Sequence, residues 1–122
     1  MKFSEELNPA QYRIQAYSTN WVQVNDERLT QSCLITPNTL VPDWPVPDFS
    51  ALTPAHIQDL AAWPVEIWLF GTGSTQGWLS PAIQQAAIAA QLSFECMNTP
   101  AACRTYNVIL AEGRAVGCAL FF

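Results

Sequence analysis

Apolar and polar residues alternate along the first third of the chain. Tyr12, Ile14 and Ala16 are separated by polar residues, a period of two that predicts a half-buried strand. The alternation resumes at Val22 and Val24, and the polar stretch 25–27 separates it from the apolar run 29–35. Short apolar runs divided by polar turns are typical of hairpins, so this part predicts three antiparallel strands in a meander.

A proline-rich segment over residues 37–50 interrupts this pattern. Prolines stand at positions 37, 42, 45 and 47, a density that neither a helix nor a central strand accepts. The segment nevertheless contains Trp44, Val46 and Phe49. A free linker has no need of such large apolar groups, so we expect the segment to lie as an extended cover over the core.

Three helix starts follow the same rule, with a hydroxyl residue directly before proline at 53–54, 80–81 and 99–100. The hydroxyl can cap the helix, and proline at the first helical position has no N–H to lose. The predicted helices end near Ala62, Gln91 and Tyr106. In the third, Thr99 is expected to cap the start, Arg104 to lie near the C-terminal end, and Asn107 to cap the end.

The remaining apolar runs predict buried strands. The run 65–70 is followed by the second helix and then by residues 93–96, which indicates a β–α–β unit with parallel strands. Residues 108–111 and 115–121 flank Glu112, Gly113 and Arg114, a pattern that predicts a second hairpin. Residues 1–122 are therefore expected to form one compact α/β domain, with a mixed sheet, antiparallel hairpins at both ends and about three helices.

Composition narrows the possible functions. Hydrophobic residues make up 50% of the chain and charged residues only 12%, which excludes intrinsic disorder. The formal net charge of −5 disfavours binding to nucleic acid. The start has no apolar run typical of a signal peptide, and the apolar stretch 115–122 is far shorter than the ~20 residues that span a bilayer. We therefore expect a cytoplasmic, bacterial protein that does not insert into membranes.

Candidate chemistry at cysteine and histidine is sparse. The cysteines at 33, 96, 103 and 118 form no CxxC pair, and the single histidine, His56, has no second histidine to join it in a metal site. Cytosolic cysteines in apolar runs are typically buried and reduced, and His56 is expected on a solvated helix face. No metal, cofactor or nucleophile–base pair is predicted.

The glycine-rich stretch 71–77 lies between a strand and a helix, as a dinucleotide-binding loop would. Its third glycine, Gly77, comes one position too late, and Trp78 and Leu79 intervene before the Ser80 cap. These departures favour glycines that allow a tight left-handed backbone. The alternative is a small-molecule or nucleotide-binding protein or an enzyme, with a cleft between the Gly71–Gly73 loop and the Thr99–Asn107 helix.

Three stretches together carry a family resemblance: LFGTG at 69–73, TPAACRTYN at 99–107 and EGR at 112–114. Over about residues 12–121 the chain resembles a domain family, formerly of unknown function, that contains the mitochondrial complex I assembly factor 3 and the adipogenesis-associated Mth-type domain protein. The resemblance implies a compact α/β fold and a non-enzymatic, assembly-factor-like role with a protein partner, and it supplies no catalytic residues. The candidate interaction cleft comprises Gly71, Thr72, Gly73, Thr99, Cys103, Arg104 and Asn107.

Overall fold

The computed structural model describes residues 11–122, which form eight strands and three α-helices. The helices are α1 (Pro54–Ala61), α2 (Pro81–Ala89) and α3 (Thr99–Ala111), and a short 3-10 turn spans Phe49–Ala51. The strands are β1 (Ile14–Tyr17), β2 (Val22–Val24), β3 (Glu27–Leu29), β4 (Cys33–Ile35), β5 (Leu40–Val41), β6 (Ile67–Thr72), β7 (Phe94–Met97) and β8 (Val116–Phe121).

The strands form two sheets. The antiparallel meander β1–β2–β3 is confirmed, although the apolar run 29–35 divides into the end of β3 and a separate strand, β4. A five-stranded mixed sheet has the order β5-β4-β8-β6-β7, in which β6 is parallel to both β7 and β8. The predicted β–α–β unit is thus confirmed as β6, α2 and β7, and the α/β fold with three helices and mixed strand directions is confirmed as well.

The five-stranded sheet separates two hydrophobic clusters. Alternate residues of β8 point to opposite faces: Cys118 and Leu120 join the cluster under α3 and the meander, while Ala119 and Phe121 join the cluster under α1 and α2. All six residues of β8 are buried, as expected for a central strand covered on both faces. The proline-rich segment lies against the second cluster, where Val46 is buried.

The predicted C-terminal hairpin is wrong. Residues 108–111 continue α3, whose buried residues Thr99, Ala102, Cys103, Tyr106 and Leu110 follow helical spacing. Gly113 has the positive φ that a turn requires, but it ends a helix: its N–H donates to Leu110 C=O, and the N–H of Arg114 donates to Ile109 C=O. This pair of bonds is the Schellman arrangement at a helix C-terminus.

The predicted N-caps are confirmed in α1 and α2, and the N-cap of α3 needs correction. Thr53 caps α1 as predicted, and the half-buried His56 completes a capping box, because its ring Nδ1 accepts from the N–H of Thr53 at 3.0 Å. The cap of α3 is Asn98, whose Oδ1 accepts from the N–H of Ala101 at 2.9 Å. Thr99 is therefore the first residue of the helix, and its hydroxyl is available for another contact.

Candidate functional site

Thr99 joins the glycine loop to the start of α3. Its hydroxyl accepts from the N–H of Gly73 at 2.9 Å and donates to the carbonyl of Phe121 at 2.6 Å, while its own N–H donates to the carbonyl of Gly73 at 2.8 Å. Thr99 has no exposed surface. One buried side chain thus ties together the ends of β6 and β8 and the first turn of α3.

Glycine is required in this loop for two different reasons. A Cβ on Gly71 would lie 2.7 Å from Leu120 Cδ2 and 3.1 Å from Thr99 Cα, so only glycine allows this close approach. Gly73 has φ of +104°, a backbone conformation that side chains disfavour. The interpretation of these glycines as residues of a tight left-handed loop is confirmed at Gly73.

Several polar groups of the glycine-rich loop are already hydrogen-bonded within the chain. Besides the Gly73 bonds, the Thr72 hydroxyl accepts from the N–H of Gly77 at 2.8 Å and donates to the carbonyl of Thr75 at 2.7 Å. A phosphate-binding loop instead presents backbone N–H groups to its ligand. Because the N–H groups of Gly73 and Gly77 already have acceptors, and Gly71 packs directly on Thr99, the loop and the start of the helix meet at these residues in a packed joint.

Two other motif residues on α3 connect this helix to β1 and the residues just before it by hydrogen bonds. The Asn107 side chain accepts from the N–H of Ile14 at 3.1 Å and donates to its carbonyl at 2.7 Å. Asn107 therefore lies within the helix and holds the edge of β1, and its expected role as the helix C-cap is wrong. Tyr106, which the sequence did not single out, donates to the carbonyl of Tyr12 at 2.8 Å. The spacing of Tyr106 from Thr99 and Cys103 places all three on one face of a helix, and this pattern in the sequence could have indicated that Tyr106 is buried.

Arg104 is exposed in the middle of α3, so its predicted place near the C-terminal end is wrong. Its Nη1 donates to the Tyr17 hydroxyl at 3.4 Å, and its guanidinium carbon lies 6.0 Å from the centroid of that ring. Its neighbour Cys103 is fully buried, and burial raises the pKa of its thiol to about 12. Cys103 is therefore a protonated core residue, while the guanidinium of Arg104 stays accessible to a partner.

All four cysteines are unpaired, and three of them are buried. Burial raises the pKa of Cys33 to about 12, raises that of Cys118 well above its usual value, and raises that of the half-buried Cys96. Within residues 11–122 no three histidine, cysteine or carboxylate side chains come close enough to share a metal ion. Over the same residues, no helix has the length and apolar character needed to cross a bilayer.

Two hollows on the surface lie away from the contact between the glycine-rich loop and Thr99. One hollow of about 420 Å³ lies between the proline-rich segment and the turn after β3, and is lined by residues such as Trp44, Asp43 and Phe122. A second, of about 350 Å³, runs along the outer side of β7. We call it the β7-edge groove, and it is lined by Gln76, Trp78, Leu79, Gln84, Phe94, Glu95 and Cys96.

Two strongly exposed hydrophobic side chains accompany the β7-edge groove. Trp78, one of its lining residues, is 74% exposed, and Ile88, one helical turn after the lining residue Gln84 on α2, is 75% exposed. Trp21, by contrast, lies under the guanidinium of Arg28 at 3.9 Å and is half-buried. Trp78 is thus much more accessible to a partner than Trp21.

The fold and these packed motif residues define the class of protein. The chain belongs to the family of proteins of unknown function DUF498/DUF598, which matches residues 14–121. The resemblance seen in the sequence is confirmed by a match to the cattle NADH dehydrogenase [ubiquinone] 1 alpha subcomplex assembly factor 3, which is 30% identical over 93% of this chain. The human protein of the same name is 29% identical over 88% of the chain. The chain spans 62% of the length of the cattle protein and 59% of the human one.

Solved bacterial structures share the fold. A Bordetella parapertussis protein superposes with a TM-score of 0.83 at 34% identity, covering 93% of this chain and 98% of its own. A Xanthomonas campestris protein gives 0.82 at 35% identity, covering 99% and 92%. A Bordetella pertussis protein described as an Mth938-like domain gives 0.75 at 29% identity, covering 93% and 87%. The Mth-type fold implied by the sequence is therefore confirmed.

Proposed function

We propose that this chain is a non-enzymatic protein-binding domain that takes part in assembling a multi-subunit complex, with NADH dehydrogenase as the first candidate. The observation that carries this proposal is the alignment of nearly the whole chain, at 30% identity, with a protein named as an assembly factor of that enzyme. An assembly factor acts by holding a subunit before its final interface forms, which requires accessible surface rather than a catalytic pocket.

The chemistry of the family motif supports a binding role over catalysis. Thr99 and Asn107 use their polar atoms on backbone groups of the same chain, and Cys103 is buried with a raised pKa. A catalytic group must reach its substrate and carry a pKa suited to proton transfer or nucleophilic attack. These residues have neither property, so they support the fold that presents the accessible surface.

The experiment compares cells that carry the gene with cells from which it has been deleted. We expect native gels of the deletion strain to show less fully assembled NADH dehydrogenase and more of its partial complexes, with normal levels restored by a plasmid copy. We also expect the tagged chain, after mild cross-linking, to retain subunits of that enzyme. Unchanged assembly together with no retained subunit would refute the proposal.

A further inference from the structure

Within residues 11–122, β7 is an edge of the five-stranded sheet, because its one paired neighbour is β6. The N–H of Trp68 donates to the carbonyl of Ser93, which sets the direction of the backbone groups along the strand. In a parallel pair, successive residues turn their N–H and C=O groups alternately toward and away from the neighbour. The backbone groups of Phe94 and Cys96 therefore point outward, into the β7-edge groove.

The chain itself shows that this edge accepts a hydrogen-bond partner. The side-chain amide of Gln76 donates to the outward carbonyl of Cys96 at 3.1 Å, in the place where the N–H of an added strand would lie. Gln76 is exposed, so a polar side chain on a surface loop makes this contact at the edge. Side-chain caps of this kind protect an exposed edge and can be displaced by a strand that offers several bonds at once.

Apolar surface lies beside these backbone groups. Trp78 and Phe94 both line the groove, Trp78 strongly exposed and Phe94 half-buried, and the exposed Ile88 lies on α2 one helical turn after the lining residue Gln84. Added strands gain affinity from main-chain bonds and specificity from pockets for alternate side chains. Since a strand rises about 3.3 Å per residue, the four residues of β7 match a peptide of about four to five residues.

The charge of the groove selects among occupants. Glu95 is the charged residue of its lining, and it is exposed. Pairing of β7 with a second copy of this chain would bring two Glu95 carboxylates into one small site, and like charges on adjacent strands are destabilising. A lysine or arginine on the added strand would instead complement Glu95, as it would the chain's net charge of −5.

We propose that the β7-edge groove binds an extended segment of a partner protein, which adds a strand to β7, places an apolar side chain on Trp78 and a basic side chain at Glu95. This inference rests on the proposed function as a protein-binding domain and names the surface and the partner chemistry. The bound segment replaces Gln76 at the carbonyl of Cys96 and also accepts from the outward N–H groups.

Amide hydrogen exchange, followed by NMR on the full chain, tests this geometry directly. The probe is an acetylated and amidated hexapeptide, Val-Lys-Val-Lys-Val-Tyr, and its matched control carries glutamate in place of lysine. We expect saturating lysine peptide to slow exchange at Phe94 and Cys96 by about tenfold or more, which corresponds to about 1.4 kcal/mol of protection. The inward amides of Glu95 and Met97 already bond to β6 and serve as internal references. Unchanged exchange at Phe94 and Cys96, or equal binding of both peptides, would overturn the proposal.

Binding of the two peptides to surface variants of the chain provides a second test of the site. We expect Trp78→Ala to weaken the lysine peptide by about tenfold and Glu95→Lys to reverse the preference between the two peptides. The matched control is Val108→Ala, which removes a hydrophobic side chain that is 58% exposed on α3, outside the groove. It should bind as the native chain does. Equal affinities for all variants would place the peptide elsewhere and refute the site.

The same variants separate this inference from the proposed function. If Trp78→Ala and Glu95→Lys still retain NADH dehydrogenase subunits as the native chain does, the groove is refuted while the assembly role stands. If the deletion strain assembles the enzyme normally and the native chain retains no subunit but binds the lysine peptide at β7, the assembly role fails and the groove stands. A concentration-dependent dimer in sedimentation that Trp78→Ala dissociates would identify a second copy as the occupant and overturn the proposal.

Discussion

Replacing Thr99 with valine tests whether one hydroxyl holds the loop, α3 and β8 together. Valine has nearly the same shape as threonine but has no hydroxyl, so the N–H of Gly73 loses its acceptor and the carbonyl of Phe121 loses a donor. Thr99 is completely buried, which leaves little room for water to replace either bond. The substitution therefore leaves two polar groups unsatisfied with little change in packing.

The expected loss of stability follows from these two groups. A buried donor or acceptor without a partner costs about 1–3 kcal/mol, and the added methyl group returns about 0.8 kcal/mol through burial. For two such groups the net cost is about 1–5 kcal/mol, so we expect Thr99→Val to lower the free energy of unfolding by about 3 kcal/mol. With a urea slope of about 1.5 kcal/mol per M, the unfolding midpoint falls by roughly 2 M.

Two matched variants isolate the hydroxyl. Thr99→Ser keeps both hydrogen bonds and removes one methyl group, so its expected cost is about 1 kcal/mol. Thr105→Val makes the same chemical change at a half-buried position on the same helix and should alter stability by about 0.5 kcal/mol or less. If Thr99→Val is no more destabilising than Thr99→Ser, the reasoning about the buried joint is refuted.

Three further outcomes are expected. Gly73→Ala should lower the free energy of unfolding by roughly 1 kcal/mol or more, because the backbone φ of Gly73 is +104°. An unchanged urea midpoint would contradict this. Arg104→Lys should leave the unfolding curve within about 0.5 kcal/mol, because the guanidinium is exposed and bonds weakly to the Tyr17 hydroxyl, so a clear drop would contradict its surface role. Burial raises the pKa of Cys33 and Cys103 to about 12 from an ordinary 9.0, so above pH 9 these thiols ionise in the unfolded chain before they ionise in the folded one. Their contribution to the stability of the fold is therefore complete below pH 9 and is lost as pH rises toward 12. Each thiol should lower stability by about 1.4 kcal/mol per pH unit in that window, and urea melts of the native chain and of Cys33→Ala at pH 8 and 10 measure the difference.

Local chemistry was enough to predict most of the elements. Proline after a hydroxyl residue marked the starts of α1 and α2, because the cap and the fixed φ of proline act within one turn. The β–α–β unit followed from short apolar runs on either side of a helical stretch. These signals depend on neighbours in sequence, so no knowledge of the rest of the chain was required.

The end of α3 shows where this approach failed. Residues 108–111 are apolar and include Val108 and Ile109, which are β-branched and therefore resemble a strand. Helical spacing through Tyr106 and Leu110 carried the opposite indication, since both residues face the core on one side of the helix. Packing of that side against the sheet and β1 decides between the two conformations, and intrinsic propensity does not.

The roles of the motif residues were settled by contacts between distant parts of the chain. Thr99 meets Gly73 across 26 positions and Phe121 across 22, and Asn107 meets Ile14 across 93. No local pattern distinguishes a threonine that caps its own helix from one that bonds to another strand, because both sit at a helix start. The family motif could therefore be recognised from sequence. Its use as a buried joint and the shape of the β7-edge groove depend on how the sheet brings distant segments together.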